Sequence, residues 1–296
     1  MTGQGPGTAT DGASGAPTGT PLPPLLTATG VRRSFGGLVA VDVERLEVQE
    51  GAITALIGPN GAGKSTLFNI LTGFERADAG RWSFGGRDVS GLRADRLARL
   101  GMVRTFQLTR SLADLTIEEN VLLAAPAQRG ESMTGALLGR ARWRSEERDN
   151  LERARALLAR FGLEQMASQP AGVLSGGQRK LLELARALMC QPRLLLLDEP
   201  MAGVNPRLVE SLLEHIRQVR DDGTTILFVE HDMDVVAGIS DHVICMAFGT
   251  ILATGTPGEV MRDAAVVDAY LGSDEDDEQD GLDGGPSDPH DAKGTV

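Results

Sequence analysis

GPNGAGKS at residues 58–65 is a glycine-rich segment that stands between a short β-branched run, residues 53–57, and a helical pattern over residues 63–71. Its members, with the residue that follows, are Gly58, Pro59, Asn60, Gly61, Ala62, Gly63, Lys64, Ser65 and Thr66. Glycines at these spacings let backbone N–H groups turn inward around a chain of phosphates, and the N-terminus of a helix adds about half a positive charge. The order strand, glycine-rich loop, helix therefore predicts that these residues bind a phosphate chain.

Two side chains of this loop suit a nucleoside triphosphate. Lys64 can reach the β- and γ-phosphates as a point charge, and Ser65 offers its hydroxyl to Mg²⁺. By itself the segment indicates a P-loop NTPase and no particular reaction. A glycine-rich turn that matches the pattern by chance is the alternative, and the strand–loop–helix setting disfavours it.

Apolar and helical patterns surround the loop. Strands are predicted at residues 26–31, 39–48, 53–57, 194–197, 224–229, 242–248 and 251–253. Continuous apolar strands separated by helical segments predict an α/β fold with a mainly parallel sheet covered on both faces. Residues 91–190 differ, because helical patterns at 118–125, 144–161 and 178–189 predict a helical subdomain there.

Charge and composition exclude several classes of protein. The net charge is −12, and residues 273–296 hold nine acidic residues and one lysine, so most of the acidity belongs to this tail. That balance argues against binding to the nucleic-acid backbone over a basic face. The two cysteines are too few for a disulfide framework or a multi-cysteine zinc site. No apolar run is long enough for a transmembrane helix, and residues 1–25 lack the pattern of a signal peptide.

The two ends of the chain differ from the middle. Residues 1–25 are rich in Gly, Thr, Ala and Pro, and residues 273–296 in Asp, Glu and Gly. Such segments bury too little apolar surface to offset the entropy of ordering, so both are predicted to be disordered tails. An acidic docking arm is the alternative for the second. The expected whole is a soluble cytoplasmic domain, residues 26–272, between two tails.

The apolar run at residues 194–197 ends in two carboxylates, Asp198 and Glu199. A carboxylate at the end of a buried parallel strand lies at the sheet edge where ligands bind. Asp198 is predicted to hold Mg²⁺ through water, and Glu199 to polarise a water molecule for attack on the γ-phosphate. A helix-capping pair before Pro200 is the alternative.

A second glycine-containing segment, residues 174–178, precedes a helical pattern. It places Ser175 at the start of the helix, followed by Gly176, Gly177 and Gln178. Such a start can cradle an anion. Because one nucleotide does not need two phosphate cradles in one chain, we infer that this segment serves a nucleotide held by another subunit. An ordinary helix N-cap is the alternative.

Taken together, the phosphate loop, Gln107, residues 174–178, residues 194–199 and His231 resemble the ATP-binding cassette (ABC) family in order and spacing, over residues 26–272. The resemblance implies the nucleotide-binding domain of that family, with a mainly parallel sheet core, an antiparallel β subdomain and a helical subdomain at about 91–190. It implies an ATP hydrolase that forms a head-to-tail dimer. Each ATP then lies between one subunit's phosphate loop and the other subunit's residues 174–178.

The resemblance also assigns roles to single residues. Gln107 matches a glutamine that touches Mg²⁺ or the attacking water, and His231 matches a histidine that contacts the γ-phosphate and Glu199. Phe35 lies near the position of an aromatic ring that stacks on adenine, and packing within the antiparallel subdomain is the alternative. Asn205 stands where the family pattern has an aspartate, which puts communication between subunits in doubt.

Several stretches are similar to one branch of the family, the ATP-binding subunits of branched-chain amino acid importers. These are residues 35–41, 104–107, 202–206, 238–241, 254–257 and 269–272. This likeness implies permease subunits as partners, a second ATPase subunit that is identical or homologous, and an extracytoplasmic solute-binding protein that acts indirectly. It places the chain at the cytoplasmic face of the membrane, with residues 108–119 receiving a permease helix.

Three other functions remain open. An ABC ATPase for urea or short amides shares much of the pattern. A non-transport ABC ATPase that acts on nucleic acid or ribosomes is disfavoured, because a single cassette is present and no long coiled coil separates its motifs. A nucleotide sensor without turnover is disfavoured by the presence of Glu199 and His231.

Overall fold

Two β-sheets organise the computed structural model, which describes residues 24–105, 110–126 and 140–271. The strands are β1 (Pro24–Phe35), β2 (Leu38–Gln49), β3 (Ile53–Ile57), β4 (Ala79–Phe84), β5 (Arg87–Asp88), β6 (Met102–Arg104), β7 (Leu194–Asp198), β8 (Thr225–Val229), β9 (His242–Ala247) and β10 (Thr250–Gly255). The helices are α1 (Lys64–Leu71), α2 (Ala94–Arg99), α3 (Arg110–Ala113), α4 (Ile117–Leu122), α5 (Arg140–Arg160), α6 (Gly176–Met189), α7 (Pro206–Asp221), α8 (Met233–Ile239), α9 (Pro257–Val260) and α10 (residues 264–271).

The larger sheet has the order β10-β9-β3-β8-β7-β6. Its strands from β9 to β6 are parallel, and β10 pairs antiparallel with β9. Leu56 pairs with Val229, and Val229 pairs with Asp198. The carboxyl ends of β3, β8 and β7 therefore lie side by side, which is the edge where α/β sheets bind ligands. The prediction of a mainly parallel sheet is confirmed.

The smaller sheet is antiparallel, with the order β2-β1-β4-β5. Strands β1 and β2 form a long hairpin in which Phe35 faces Leu38 across Gly36 and Gly37. Both glycines have positive φ, 53° and 98°, and glycine adopts that conformation readily in a tight turn. The antiparallel β subdomain is thus confirmed. Strand β1 begins at Pro24, two residues before the predicted start.

The larger sheet is buried on both faces. Side chains of β7 alternate between two hydrophobic clusters, with Leu195 and Leu197 in one and Leu194 and Leu196 in the other. This period of two explains why four consecutive leucines form a strand. The first cluster includes residues of α4, α5 and α6, and the second includes α1 and the antiparallel sheet.

The helical layer is formed by α4, α5 and α6. Their side chains Ile117, Leu158 and Leu182 are fully buried in the first cluster. Ile117 is therefore a core residue rather than part of a surface for a permease helix. Residues 102–104, inside the segment predicted to be helical, instead form the edge strand β6. In the described ranges, no helix combines the length and the apolar composition needed to cross a bilayer.

Candidate functional site

The phosphate-loop segment, residues 58–65, connects the end of β3 to the start of α1. Gly58, Gly61 and Gly63 all have positive φ, at 147°, 75° and 95°. A Cβ atom on Gly58 would lie 2.0 Å from the carbonyl oxygen of Met246, and one on Gly63 would lie 2.3 Å from that of Ala40. Both positions therefore exclude a side chain, because the backbone of neighbouring strands packs directly against the loop.

The start of α1 is open to an anion. Within the described residues, no side chain caps the helix at Gly63, and its first turn has no acidic residue. Lys64 lies back across the loop, and its Nζ donates to the carbonyl oxygens of Gly58 at 2.6 Å and Pro59 at 2.8 Å. Burial lowers the pKa of Lys64, and the carboxylate of Glu199 opposes this shift. Uncapped N–H groups beside an ammonium group fit a phosphate chain.

Asp198 lies at the carboxyl end of β7 and is paired with Arg104 from β6. The guanidinium Nη2 donates to Asp198 Oδ2 at 2.6 Å, and Nη1 donates to Asn69 Oδ1 on α1 at 2.5 Å. Arg104 thus joins two strands to the helix that follows the phosphate loop. Sequence analysis missed this role, because it predicted no strand at residues 102–104 and so gave no reason to place Arg104 beside Asp198. A cation bound at Asp198 would compete with the guanidinium for Oδ2.

Glu199 has an unusual backbone conformation. Its φ is 44°, which few residues other than glycine adopt and which is strained for a glutamate. The backbone N–H of Glu199 donates to the carbonyl oxygen of Val229 at 3.1 Å. Its own carbonyl oxygen accepts from Lys180 Nζ at 3.2 Å. The surrounding strands and α6 therefore hold the strained peptide, as is common at functional sites.

A cleft of about 400 Å³ brings several of the predicted residues together. It is lined by Ser65, Arg104, Thr105, Lys180, Glu183, Asp198 and Glu199. Among the residues that the structure describes, no group of three His, Cys, Asp or Glu side chains could hold a metal ion. One carboxylate and one hydroxyl still fit Mg²⁺, which keeps several waters and binds substrate phosphates. The predicted role of Gln107 falls outside the described residues.

The segment at residues 174–178 has a different environment. Ser175 caps α6, where its Oγ accepts from the Gln178 backbone N–H at 3.3 Å and its own N–H donates to Gln178 Oε1 at 3.0 Å. A Cβ atom on Gly177 would lie 2.5 Å from Leu208 Cδ1 of α7, and one on Gly176 would lie 3.4 Å from the carbonyl oxygen of Gly203. The described lining of the cleft includes none of residues 175–178. Residues 175–178 therefore do not line the cleft that holds Ser65, Asp198 and Glu199.

Asn205, which replaces the aspartate of the family pattern, begins α7. Its Oδ1 accepts from the Arg207 backbone N–H at 3.0 Å, and Pro206 occupies the first helical position. Asparagine and aspartate are equally good N-caps. The substitution therefore preserves the start of the helix even though it removes a charge.

His231 follows β8 and lies beyond a buried glutamate. The side chain of His231 is exposed, and its Nδ1 lies 3.9 Å from Glu230 Oε2. Glu230 is 1% exposed. Asp232, the next residue, caps α8 by accepting backbone N–H groups from Asp234 and Val235 at 2.9 and 3.2 Å. Sequence analysis did not single out Glu230, although a charged residue directly after a buried strand was a signal.

Phe35 lies at the end of β1, beside the turn of the antiparallel hairpin. Its side chain is 45% exposed, and the Arg33 guanidinium carbon lies 4.5 Å from the ring centroid. Arg33 is itself paired with Asp78 at 2.8 Å and Glu75 at 2.7 Å. The ring is therefore partly covered by a fixed cation and partly open, so stacking on a base stays a prediction.

Comparisons with known proteins agree with this geometry. A family model described as "ABC transporter" matches residues 42–202, and one described as "Branched-chain amino acid ATP-binding cassette transporter" matches residues 250–276. The chain is 43% identical over 250 residues to the high-affinity branched-chain amino acid transport ATP-binding protein LivG of Salmonella typhimurium, which covers 84% of this chain and 98% of that protein. It is 40% identical over 250 residues to BraF of Pseudomonas aeruginosa, a protein with the same description, at the same coverage.

Solved structures include a similar molecule. The ADP conformation of MJ1267, an ATP-binding cassette of an ABC transporter, has a TM-score of 0.74 and 37% sequence identity to this chain. The match covers 84% of this chain and 99% of that one.

Proposed function

From the premise that this chain belongs to the ABC transporter family, in the branch of the branched-chain amino acid ATP-binding cassettes, we propose that it is the ATP-hydrolysing subunit of a branched-chain amino acid importer. The observation that carries the proposal is the near full-length match to proteins named for that transport, 98% of LivG at 43% identity. Their names also favour branched-chain amino acids over urea or short amides as the solute.

The phosphate loop holds the triphosphate in this proposal. Backbone N–H groups of residues 58–66, except Pro59, which has none, surround the β- and γ-phosphates, and Lys64 neutralises their charge. Ser65 and Asp198 line one cleft and would together hold Mg²⁺, which when bound would offset the negative charge of the phosphates. The uncapped start of α1 supports this arrangement.

Glu199 is the proposed general base. It lines the same cleft as Ser65 and Asp198, and its strained backbone is held by contacts with β8 and α6. The carboxylate orients a water molecule and accepts its proton as the water attacks the γ-phosphate. His231, two residues beyond the end of β8, would contact the γ-phosphate. The role of Gln107 toward Mg²⁺ or the water rests on the family resemblance, because Gln107 lies outside the described residues.

Two copies of the cassette complete each site. Residues 175–178 lie outside the cleft formed by their own chain, so we infer that they bind the ATP held by a partner subunit. Closure of the dimer around two ATP molecules moves the helical layer and with it the permease subunits, and phosphate release reopens the dimer. Phe35 contributes to adenine binding. The chain acts at the cytoplasmic face of the membrane, attached through the permease, and does not bind nucleic acid.

A detergent pull-down tests the importer against its alternatives. The full-length chain, tagged and expressed at native level, should be captured from solubilised membranes together with hydrophobic permease subunits. The complex, reconstituted in liposomes with its solute-binding protein, should hydrolyse ATP faster with leucine, isoleucine or valine than with urea or acetamide. Capture of ribosomal or nucleic-acid partners in place of membrane subunits would contradict the proposal.

A further inference from the structure

Glu230 is buried without an apparent structural need for a charge. Of the charged side chains that the structure describes, Glu230 alone is buried, at 1% exposure. Burial raises the pKa of Glu230, whereas hydrogen bonds from two backbone N–H groups lower it. A methionine or leucine of similar volume would avoid the cost of desolvating a carboxylate. The carboxylate is therefore better explained by the backbone groups that it hydrogen-bonds than by a contribution to the stability of the fold.

The two oxygens of Glu230 reach two different functional segments. Oε1 accepts from the Met201 backbone N–H at 2.9 Å, and Oε2 accepts from the His231 backbone N–H at 3.3 Å. Met201 lies two residues after Glu199, in the loop that leads to Asn205. One buried side chain thus fixes both the loop that follows the proposed base and the residue that contacts the γ-phosphate.

The hydrogen bonds of Glu230 are important because the loop that they hold follows directly after Glu199. Its φ of 44° is strained, so the surrounding structure must hold it in place. The Val229 carbonyl holds its N–H, Lys180 and the Ala202 N–H hold its carbonyl oxygen, and Glu230 holds the next segment at Met201. Of these groups, Glu230 also bonds the His231 backbone.

We propose that Glu230 is a positioning residue that sets the spacing between Glu199 and His231. The inference rests on the proposed function, because it gives Glu230 a role only through those two residues. Misplacement of reacting groups by about 1 Å costs on the order of 100-fold in rate, so a single buried bridge can have a large effect.

The test uses the full-length chain and three variants. Glu230→Met removes both acceptors but fills a similar volume, and Glu230→Gln keeps one acceptor oxygen while its amide group cannot accept the second N–H. Glu259→Gln is the control, since Glu259 also accepts a backbone N–H, from Thr256 at 2.8 Å, on a helix outside the cleft. ATP hydrolysis, affinity for a non-hydrolysable ATP analogue, thermal unfolding and amide hydrogen exchange are measured for each.

We expect kcat to fall about 10- to 100-fold in Glu230→Met and less in Glu230→Gln. The melting temperature should fall, because two backbone N–H groups lose their acceptors. Analogue affinity should fall less than kcat, since the phosphate loop is unchanged, and amide exchange should rise at Met201 and His231 but not in α7. Wild-type kcat in Glu230→Met would overturn the inference. Loss of analogue affinity in parallel with kcat, or exchange that rises throughout the sheet, would also overturn it, because either result indicates a general structural role.

Should Glu230→Met not fold, Glu230→Gln decides the matter. Unchanged kcat with unchanged exchange at Met201 and His231 in that variant would overturn the inference. Failure of the proposed function gives a different result. Wild-type protein that hydrolyses no ATP, or a Glu199→Gln variant that hydrolyses it normally, would refute the site assignment, whereas normal turnover in Glu230→Met alone refutes only the role of Glu230.

Discussion

The two helix starts predicted to bind phosphate differ in how their N–H groups are satisfied. The N-cap position of helix α1 is Gly63, and no described side chain caps it; the loop before it is fixed by backbone contacts with β2 and β9. Helix α6 begins at Ser175, whose side chain and that of Gln178 form a reciprocal capping box. The first start is open to a ligand, whereas at the second the N–H groups of Ser175 and Gln178 already bond to side chains of the same helix start.

Because the two helix starts differ, we expect nucleotide binding by one chain and formation of the dimer to be separate steps. An uncapped N-terminus at the phosphate loop favours ATP binding by a single chain. At α6, an incoming phosphate must compete with the capping bonds of Ser175, and those bonds stabilise a helix by about 1 kcal/mol. We therefore expect the isolated chain to bind nucleotide at the first site before a dimer forms at the second.

Replacement of Lys64 tests the role of the phosphate loop at the start of α1 and has the largest expected effect. Lys64→Ala removes the cation held over the loop by Gly58 and Pro59, so the transferred phosphate loses its charge partner. ATP hydrolysis should fall about 10³-fold or to background. Phosphate release under saturating MgATP measures the change, and a variant that keeps more than a tenth of wild-type turnover would contradict the assignment.

Glu199→Gln separates binding from hydrolysis at the same site. Loss of a general base lowers turnover by about 10²- to 10⁴-fold, but the phosphate loop is untouched. We expect ATP affinity to stay near wild type and the closed dimer to accumulate. Light scattering with and without MgATP reports the dimer. If the variant stays monomeric in ATP while the permease-bound wild type turns over, the proposed closure is wrong.

Ser175→Ala tests the second half of the comparison. The variant loses the cap of α6 and the proposed contact with the partner's phosphate. The cap should cost about 1 kcal/mol of stability. The lost hydrogen bond to a charged group should lower hydrolysis about 10- to 100-fold, with nucleotide binding by the single chain preserved.

Thr256→Ala is the matched control for Ser175→Ala. Thr256 begins α9 in a reciprocal arrangement with Glu259, outside the cleft. It should lose a similar amount of stability and keep its turnover. Equal turnover in the two variants would indicate that Ser175 is an ordinary helix cap.

The comparison also shows what sequence can predict. The strand at Ile53–Ile57 was predicted with its exact bounds, and β7 to within one residue, because an apolar run buried on both faces needs no partner to be recognised. Helix α7 was missed. Sequence analysis interprets Asn205 only by its family position, although asparagine followed by proline is a common helix start.

The candidate site residues likewise fall into those that belong to local sequence motifs and those that act through tertiary contacts. Lys64 and Asp198 belong to local motifs, so the sequence can single them out, and the structure places Ser65, Asp198 and Glu199 on one cleft. Arg104 and Glu230 were not found, because each acts through a tertiary contact. The Arg104–Asp198 pair joins residues 94 positions apart, and the Glu230–Met201 bond joins residues 29 apart. No local pattern specifies such pairs.

The smallest expected effect concerns a contact between α7 and Phe161, the residue that follows α5. The phosphate loop is held by backbone groups that do not titrate near neutral pH, but His215 of α7 packs edge-on against Phe161, with ring centroids 4.9 Å apart. Burial lowers the pKa of His215 below its ordinary value of 6.5, and Arg160 lowers it further, against a hydrogen bond with Gln218 and the charge of Glu214.

Because the folded-state pKa of His215 is below the unfolded one, its contribution to stability is present above pH 6.5 and is lost as the pH falls through the lowered pKa. Urea unfolding of the wild type should therefore show a lower free energy of unfolding at about pH 5 than at about pH 8. His215→Phe keeps the aromatic contact and cannot titrate, so this difference should shrink. It should not vanish, because burial also lowers the pKa of His242. If the difference is unchanged in His215→Phe, His215 does not contribute to the pH dependence of the free energy of unfolding.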